Sequence, residues 1–517
     1  MQKKKLIIVG GGISGLTCGI YALDNDFDVE IYEKHVIAGG ECTGWYRDGV
    51  YIDGCAHWIV GTNKNSDFYP VWYHLGALNE HTKIYECEYF QKFKIGDEVI
   101  TFYADLNKLY DELMRIAPED KKVIKQLIKR ILDYQHTRVP LDKPLDMLNP
   151  FQFTMFGLHM LPMLSSYIKS RNESLEDFAK KAKNETLKKI IMRVLTTKDY
   201  NSHCFFYTMH ALSKGDAGVP EGGSLKMANR IIRTFKDKGG KLFLNTPVKE
   251  VLIENDTAKG IVLEDGTIIK GDYVVSSTDL HFTFNKLIGE KYMSKYFKKM
   301  FTEKDHYLNN SCYYLSYKVT ENIDDRPKTY CFEVEPFKVG PDEFDCITAR
   351  SHSFDKTLNR NCTTITVMIY GSFEGYNYVK SLSKEEYKKF KNDLAEFVRT
   401  KLKEEYKLND SSISTLDVAT PLTYERYTNA YCGSYMSFIG TKYSKGLIAK
   451  NYVKGLKNFA LCGQWMMLPG GLPIAVFSGK HAAVRVCAYD KRKFINKEEK
   501  KAKFYLVPLK KSTNIVP

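Results

Sequence analysis

The chain has 517 residues, enough for roughly three domain lengths, and its 44% hydrophobic content is that of a globular protein with a real core. Lys+Arg at 76 against Asp+Glu at 62 give a formal charge of +14, which reads as a Lys-rich solvated surface or as attraction to an anionic membrane or acidic ligand. It does not read as a nucleic-acid footprint, because the charge is spread out and no recognition motif accompanies it.

The same holds for other classes. The twelve cysteines never take C-x-x-C spacing, which argues against a zinc site and a disulfide scaffold and fits a reducing cytoplasm. No window reaches the ~18–20 apolar residues of a spanning helix. The apolar run behind MQKKK is too short for the core of a signal peptide.

In chain order, Leu6 to Val9 is an apolar run without polar alternation, which predicts a buried parallel strand. Gly10, Gly12 and Gly15 follow in G-x-G-x-x-G order. Gly10 permits the tight turn, Gly12 lets backbone approach a pyrophosphate, and Gly15 lets the next helix pack close to the strand. That helix begins near Ser14 and turns its amide end to the phosphates. A second strand, Asp28 to Tyr32, ends on Glu33, an acid placed to accept ribose hydroxyls and to disfavour a 2′-phosphate. This order predicts an ADP-binding unit, and both FAD and NAD satisfy it.

Next comes AGGECTGWYRDGVYIDGCAHWIVG, residues 38–61, in which Gly39 and Gly40 stand where backbone lines an extended cofactor. Residues 81–214 open with strand-like YECEYFQKFKI and VITFYA and then turn helical. They include LNPFQFTMFGLHMLPMLSSYIKS, 148–170, rich in Met, Phe and Leu. It reads as a buried helical hairpin broken at Pro162, or as a lid or membrane-dipping element beside a lipid tunnel.

Residues 218–279 predict a turn, a helix carrying Leu225, Met227, Ala228, Ile231, Ile232 and Phe235, and a stop at Gly239-Gly240. Strands at 241–244, 248–253, 260–263 and 273–275 follow, with Asp265-Gly266 as a hairpin turn. Residues 286–444 carry Tyr-rich alternating runs at 313–319 and 363–371 that suit a mixed sheet, and a surface helix over 384–406. Finally NFALCGQWMMLPGGLPIAVFSGKHAAVRVC, 458–487, predicts a short strand to Gly463, a Pro-Gly-Gly-Leu-Pro turn and a helix beginning near Pro473.

Together these segments resemble the phytoene desaturase, carotenoid isomerase and retinol saturase branch of the FAD-dependent oxidoreductases. DGCAHWIVG and TPLTYERYTNAYCGSY, 420–435, are similar to the retinol-saturase-like members, the second to a late substrate-side strand. The resemblance implies an α/β fold, with a Rossmann-like FAD-binding domain of the glutathione-reductase/amine-oxidase type interleaved with a mixed-sheet plus helical substrate domain. The expected FAD-binding domain comprises 1–80, 215–285 and 445–490, the substrate/cap domain 81–214 and 286–444, and a basic tail 491–517.

The cofactor so implied is FAD, with contacts carried over to Gly10, Gly12, Ile13, Ser14, Gly15, Glu33, Lys34, Gly39, Gly40, Glu41, Thr43, Gly463, Gly471, Pro473 and Ile474, and to Val248 against the adenine. Many members carry a basic residue directly after the glycine pair, facing the pyrophosphate. Glu41 departs from that pattern and would repel phosphate unless it points away. The helix start at Pro473, aimed at the flavin N1/O2 edge, would stabilise anionic reduced flavin.

The activity so implied is oxidation or reduction of carbon–carbon bonds in a hydrophobic polyene or lipid. Alternatives are a flavin-dependent non-redox double-bond isomerase and a lipid- or prenyl-binding escort protein of the Rab escort type. No second G-x-G-x-x-G marks a nicotinamide fold, so the electron partner is left open. The expected partner is a hydrophobic small molecule, in a cytoplasmic protein with peripheral membrane contact as the sharper reading of its charge.

His57 is the catalytic candidate: it exchanges the proton that accompanies hydride transfer, or it shapes the pocket without titrating. Tyr424, Glu425 and Arg426 are weaker candidates. Cys42 and Cys55 flank the site as apolar fillers, no covalent flavin link is expected, and neither is a metal.

Overall fold

The first apolar run, Lys5–Val9, lies at the centre of a five-stranded parallel sheet in the order Lys241–Phe243, Asp28–Tyr32, Lys5–Val9, Tyr273–Ser276, Phe459–Leu461. The structure, a computed structural model, describes residues 3–55, 57–137, 142–444 and 449–498. Ala56 of the 38–61 motif, the start of the 445–490 segment and residues 499–517 of the basic tail lie outside the described residues.

The run lacks polar alternation because both faces of this sheet are covered. Leu6 and Ile8 join one core cluster with Val29, Ile31 and Val275, while Ile7 and Val9 join another with Val274, Phe459 and Leu461. Three helices flank the sheet: Ile13–Asp24, Gly223–Asp237 and Leu472–Tyr489. Close helix packing requires glycine at position 15, where a Cβ would come within 2.2 Å of the Gly10 carbonyl oxygen.

A second sheet has seven strands in the order Ile413–Ala419, Ser311–Val319, Thr363–Gly371, Asp342–Ser351, Thr329–Val339, Tyr89–Ile95, Glu98–Tyr103. All its pairings are antiparallel except Thr329–Val339 with Tyr89–Ile95, so it is mixed, and the Tyr-rich runs form adjacent strands within it. Lys384–Tyr406 is the expected surface helix. A three-stranded antiparallel sheet, Val248–Glu254, Thr257–Leu263 and Ile268–Lys270, turns at Asp265-Gly266.

Two segments differ from the sequence reading. The hairpin broken at Pro162 is one continuous helix, Pro150–Arg171. Asn149 caps it by accepting the Gln152 N–H at 2.8 Å, and the Gln152 side chain accepts the Asn149 N–H in return. One interior proline removes a single backbone bond from 22 residues, and the packing of Met160, Met163 and Tyr167 on the helical core offsets that loss. The helix is also not buried: Phe151 is 73% exposed and Leu158 53%.

The segment 420–435, read as a strand, instead carries the helix Pro421–Thr428. Proline at the first helical position and Thr423 Oγ1 accepting the Thr420 N–H at 3.1 Å start that helix.

Candidate active site

The glycine turn and the glycine pair meet. The Gly39 N–H donates to the Gly11 carbonyl at 2.9 Å, and Gly12 bridges Gly39. A Cβ on Gly12 would find nothing nearer than the Gly40 Cα at 3.9 Å, so an open cradle lies between two stretches of bare backbone. Ile13 and Ser14 begin the helix whose amide end faces it.

Glu33 stands at the end of its strand, buried. Its carboxylate accepts the Gly11 N–H at 2.7 Å and the His35 N–H at 2.8 Å, which fixes it and leaves lone pairs for a diol. Lys34 turns elsewhere: its ammonium donates to the Arg426 carbonyl at 2.8 Å and to Asn429 Oδ1 at 2.5 Å, bracing the Pro421–Thr428 helix.

All the expected site residues except Gly15, which lies in the packing beneath, line one continuous cavity of about 2820 Å³. At one end are Gly10, Gly12, Ile13, Ser14, Glu33, Lys34 and Val248. Further along are Gly39, Gly40, Glu41 and Thr43, then Gly463, Gly471, Pro473 and Ile474. The Gly463 backbone N–H is held by Ser478 Oγ at 3.0 Å. The helix that begins at Leu472 therefore presents its N-terminus to the space that Glu41 faces.

Glu41 does not stand free beside this cradle. Its carboxyl accepts the Gln464 side-chain N–H at 2.6 Å, and Gln464 Oε1 in turn accepts the Gly471 N–H at 3.3 Å. Burial, reinforced by Asp279, pushes the Glu41 carboxyl up to about 8 against the opposing Gln464 bond. At neutral pH it is a neutral acid and brings no negative charge to the slot. Asp279, also on the cavity wall, is pushed up to about 6 by burial although the N–H groups of Tyr431, His281 and Phe282 donate to it.

Beyond the slot the same cavity continues as a chamber. Tyr314, Thr348, Arg350, Thr366 and Met368 of the seven-stranded sheet form one wall, and Phe156, Met160 and Met163 of the Pro150–Arg171 helix form another. His57 lies on this chamber. Burial, with Arg350 and His352 adding to it, holds its imidazole well below the usual histidine range, so it is neutral at pH 7. Its backbone carbonyl accepts an N–H of the Arg350 guanidinium.

Behind His57, Asp53 ties the strand Val50–Asp53 to the start of the Gly223–Asp237 helix. It accepts the Ser224 N–H at 2.6 Å, Ser224 Oγ–H at 2.7 Å and the Cys55 N–H at 3.2 Å. Tyr424 is half-buried beside Cys312, whereas Glu425 pairs with Lys380 and Tyr376 outside the chamber. Sequence reasoning missed Asp53, Asp279, Arg350 and Gln464. Gln464 directly follows Gly463 in the 458–487 segment, which was a local signal, but the pairing of Arg350 with His57 crosses almost 300 residues and has none.

The family of flavin containing amine oxidoreductases matches residues 13–487. The chain belongs to that family. Its cofactor is FAD, and the bare-backbone cradle, the fixed acid and the helix N-terminus fit a dinucleotide bearing a flavin.

Among curated proteins, this flavoprotein is 26% identical over 297 residues to the inactive all-trans-retinol 13,14-reductase of Danio rerio, covering 55% of this chain and 48% of that one. It is 21% identical over 315 residues to the 4,4'-diapophytoene desaturase (4,4'-diapolycopene-forming) of a Methylomonas species, covering 60% and 61%. The match therefore spans about half to three-fifths of the length of these relatives. The chloroplastic prolycopene isomerase of Daucus carota is 23% identical over 513 residues, covering 93% and 80%.

The solved oxidoreductase from Methanosarcina mazei shares the fold at a TM-score of 0.59 and 15% identity, covering 94% of this chain and 100% of that one. Cyclohexylamine oxidase from Brevibacterium oxydans does so at 0.56 and 12%, covering 95% and 100%.

Proposed function

We propose that this flavoprotein is an oxidoreductase of carbon–carbon bonds, desaturating or saturating a long hydrophobic polyene or lipid. The observation that carries this reading is the lining of the cavity. Its roughly 2820 Å³ includes the dinucleotide slot, and beyond that slot Trp58, Phe90, Met160, Met163, Tyr314 and Met368 offer apolar surface beside His57 and Arg350. The names of the curated relatives, a 4,4'-diapophytoene desaturase and an inactive all-trans-retinol 13,14-reductase among them, support the same substrate class.

In this reading residues 1–80, 215–285 and 445–490 hold the cofactor, while 81–214 and 286–444 build the chamber. Gly12 and Gly40 would hold the pyrophosphate, Glu33 the ribose and Val248 the adenine. The helix N-terminus at Gly471 and Pro473 would stabilise negative charge developing on a flavin bound there. FAD, when bound, supplies acceptance or return of a hydride.

The protein's own part is to orient the chain of the substrate and to exclude water. His57, held neutral at rest, shapes the chamber. The exposed Pro150–Arg171 helix, whose other side lines the chamber, touches a membrane surface and gives a hydrophobic substrate its way in. No helix among the described residues is long and apolar enough to cross a membrane.

Similarity to prolycopene isomerase over 93% of this chain favours a second reading, isomerisation without net redox change. One experiment separates the two. Dithionite-reduced holoprotein is incubated anaerobically with a polyene and the product weighed. Saturation adds two hydrogens, and oxidised enzyme removing two indicates desaturation. Unchanged mass with altered retention selects the isomerase. A purified protein without flavin absorbance would defeat both readings.

A further inference from the structure

The chamber contains a buried cation with no ion-pair partner among the described residues. Arg350, in the strand Asp342–Ser351, is 8% exposed and lines the cavity. One of its N–H groups donates to the His57 carbonyl, a neutral acceptor, and its Nε has no hydrogen-bond partner. No ion pair or other hydrogen bond of this guanidinium is found among the described residues.

Its neighbours do not supply the missing charge. His57 and His352 are both held neutral by burial, and His352 Nε2 is engaged with Thr366 Oγ1 at 3.1 Å. Asp53 lends its charge from a distance but forms no ion pair with the guanidinium, because its oxygens are taken by four other donors: Ser224 N–H, Ser224 Oγ–H, Cys55 N–H and Tyr51 O–H. A hydrocarbon in this chamber would leave the guanidinium desolvated and uncompensated, which is costly.

We propose that Arg350 anchors a carboxylate at one end of the substrate, so that the substrate class is a long-chain unsaturated acid and not a pure hydrocarbon. The planar guanidinium fork matches a carboxylate in geometry, and a single positive charge matches a monoanion better than a phosphate dianion. Trp58, Phe90, Met160, Met163 and Met368 on the same cavity offer apolar surface for the remaining chain.

This inference rests on the reading of the chamber as a substrate site, and its test keeps the two apart. The holoprotein is titrated with cis-parinaric acid, a fluorescent conjugated tetraene fatty acid, at a pH where the acid is ionised. A second titration uses its methyl ester. The expected result is about tenfold or more tighter binding of the acid, as for a charge-assisted bidentate contact. Arg350→Met abolishes the difference while leaving ester affinity near the wild-type value, and Arg350→Lys, which keeps the charge without the fork, retains part of it.

Equal affinities for acid and ester in the wild-type protein, or discrimination that survives Arg350→Met, would overturn the anchor and leave the chamber reading standing. Failure of both probes to bind would overturn the chamber reading too. The wild-type comparison decides the matter even if a variant does not fold.

Discussion

Glu41 occupies a position where an ionised carboxylate would face phosphate, yet the structure keeps it neutral. Burial raises its carboxyl to about 8, and the Gln464 amide occupies one oxygen. The folded protein holds the proton more tightly than the unfolded chain, so the stability deficit is absent below the ordinary carboxyl value near 4.5, grows as pH rises toward 8 and then levels off. Above about 8 the group ionises, and with FAD placed as proposed it would repel the pyrophosphate. Glu41→Gln keeps the shape and the contact with Gln464 but cannot ionise. In fluorescence titrations of the apoprotein, the wild type is expected to lose FAD affinity by roughly tenfold between pH about 7 and about 9, the order of a like-charge contact, while the variant stays level. Parallel loss in both proteins would show that another group controls the pH dependence.

At the scale of elements, the parts legible in the sequence were those whose cause is local. The strand, glycine turn and helix at 5–24 follow from a run of apolar residues and three spaced glycines, and the closing helix from a proline behind a glycine turn. The breaks in legibility have equally physical reasons. Pro162 suggested a kink, but the cap at Asn149 and packing of the helix on its neighbours carry the chain through it. Composition left a buried hairpin and an exposed lid both open, and the tertiary arrangement leaves much of this apolar helix in solvent. Arg350 and Asp279 were silent because each gains its role from a partner more than 150 residues away. The exposed helix makes a direct prediction. Phe151→Asp with Leu158→Asp removes two side chains that each contribute about 1.5–3 kcal/mol when fully buried in a bilayer interface. Co-sedimentation with anionic vesicles is expected to fall by roughly a hundredfold. Melting should shift little, since both side chains already face solvent. Undiminished sedimentation would remove this helix from any membrane role.

At the scale of the whole molecule, the central sheet joins strands that begin at residues 5, 28, 241, 273 and 459, so its folding depends on contacts that are distant in sequence. The same distant segments line the dinucleotide slot, and a ligand there ties them together in addition to the backbone ladder. Binding to the folded state alone stabilises it by mass action, about 2.7 kcal/mol at a hundred times the dissociation constant. Two glycines separate this linkage from the fold itself. Gly12 has extended backbone angles of −69° and 173° that alanine adopts without strain, and a methyl group there enters the open cradle. Gly12→Ala apoprotein is therefore expected to melt within about one degree of the wild-type apoprotein, because no contact of the fold is lost. Added FAD should raise the wild-type midpoint by a few degrees, with circular dichroism and tryptophan fluorescence moving together, and leave the variant unmoved. Gly15→Ala behaves differently, since its methyl meets the Gly10 carbonyl: it lowers the melting point with or without FAD. A Gly12→Ala protein that still gained the full stabilisation from FAD would show that the pyrophosphate does not rest on this turn.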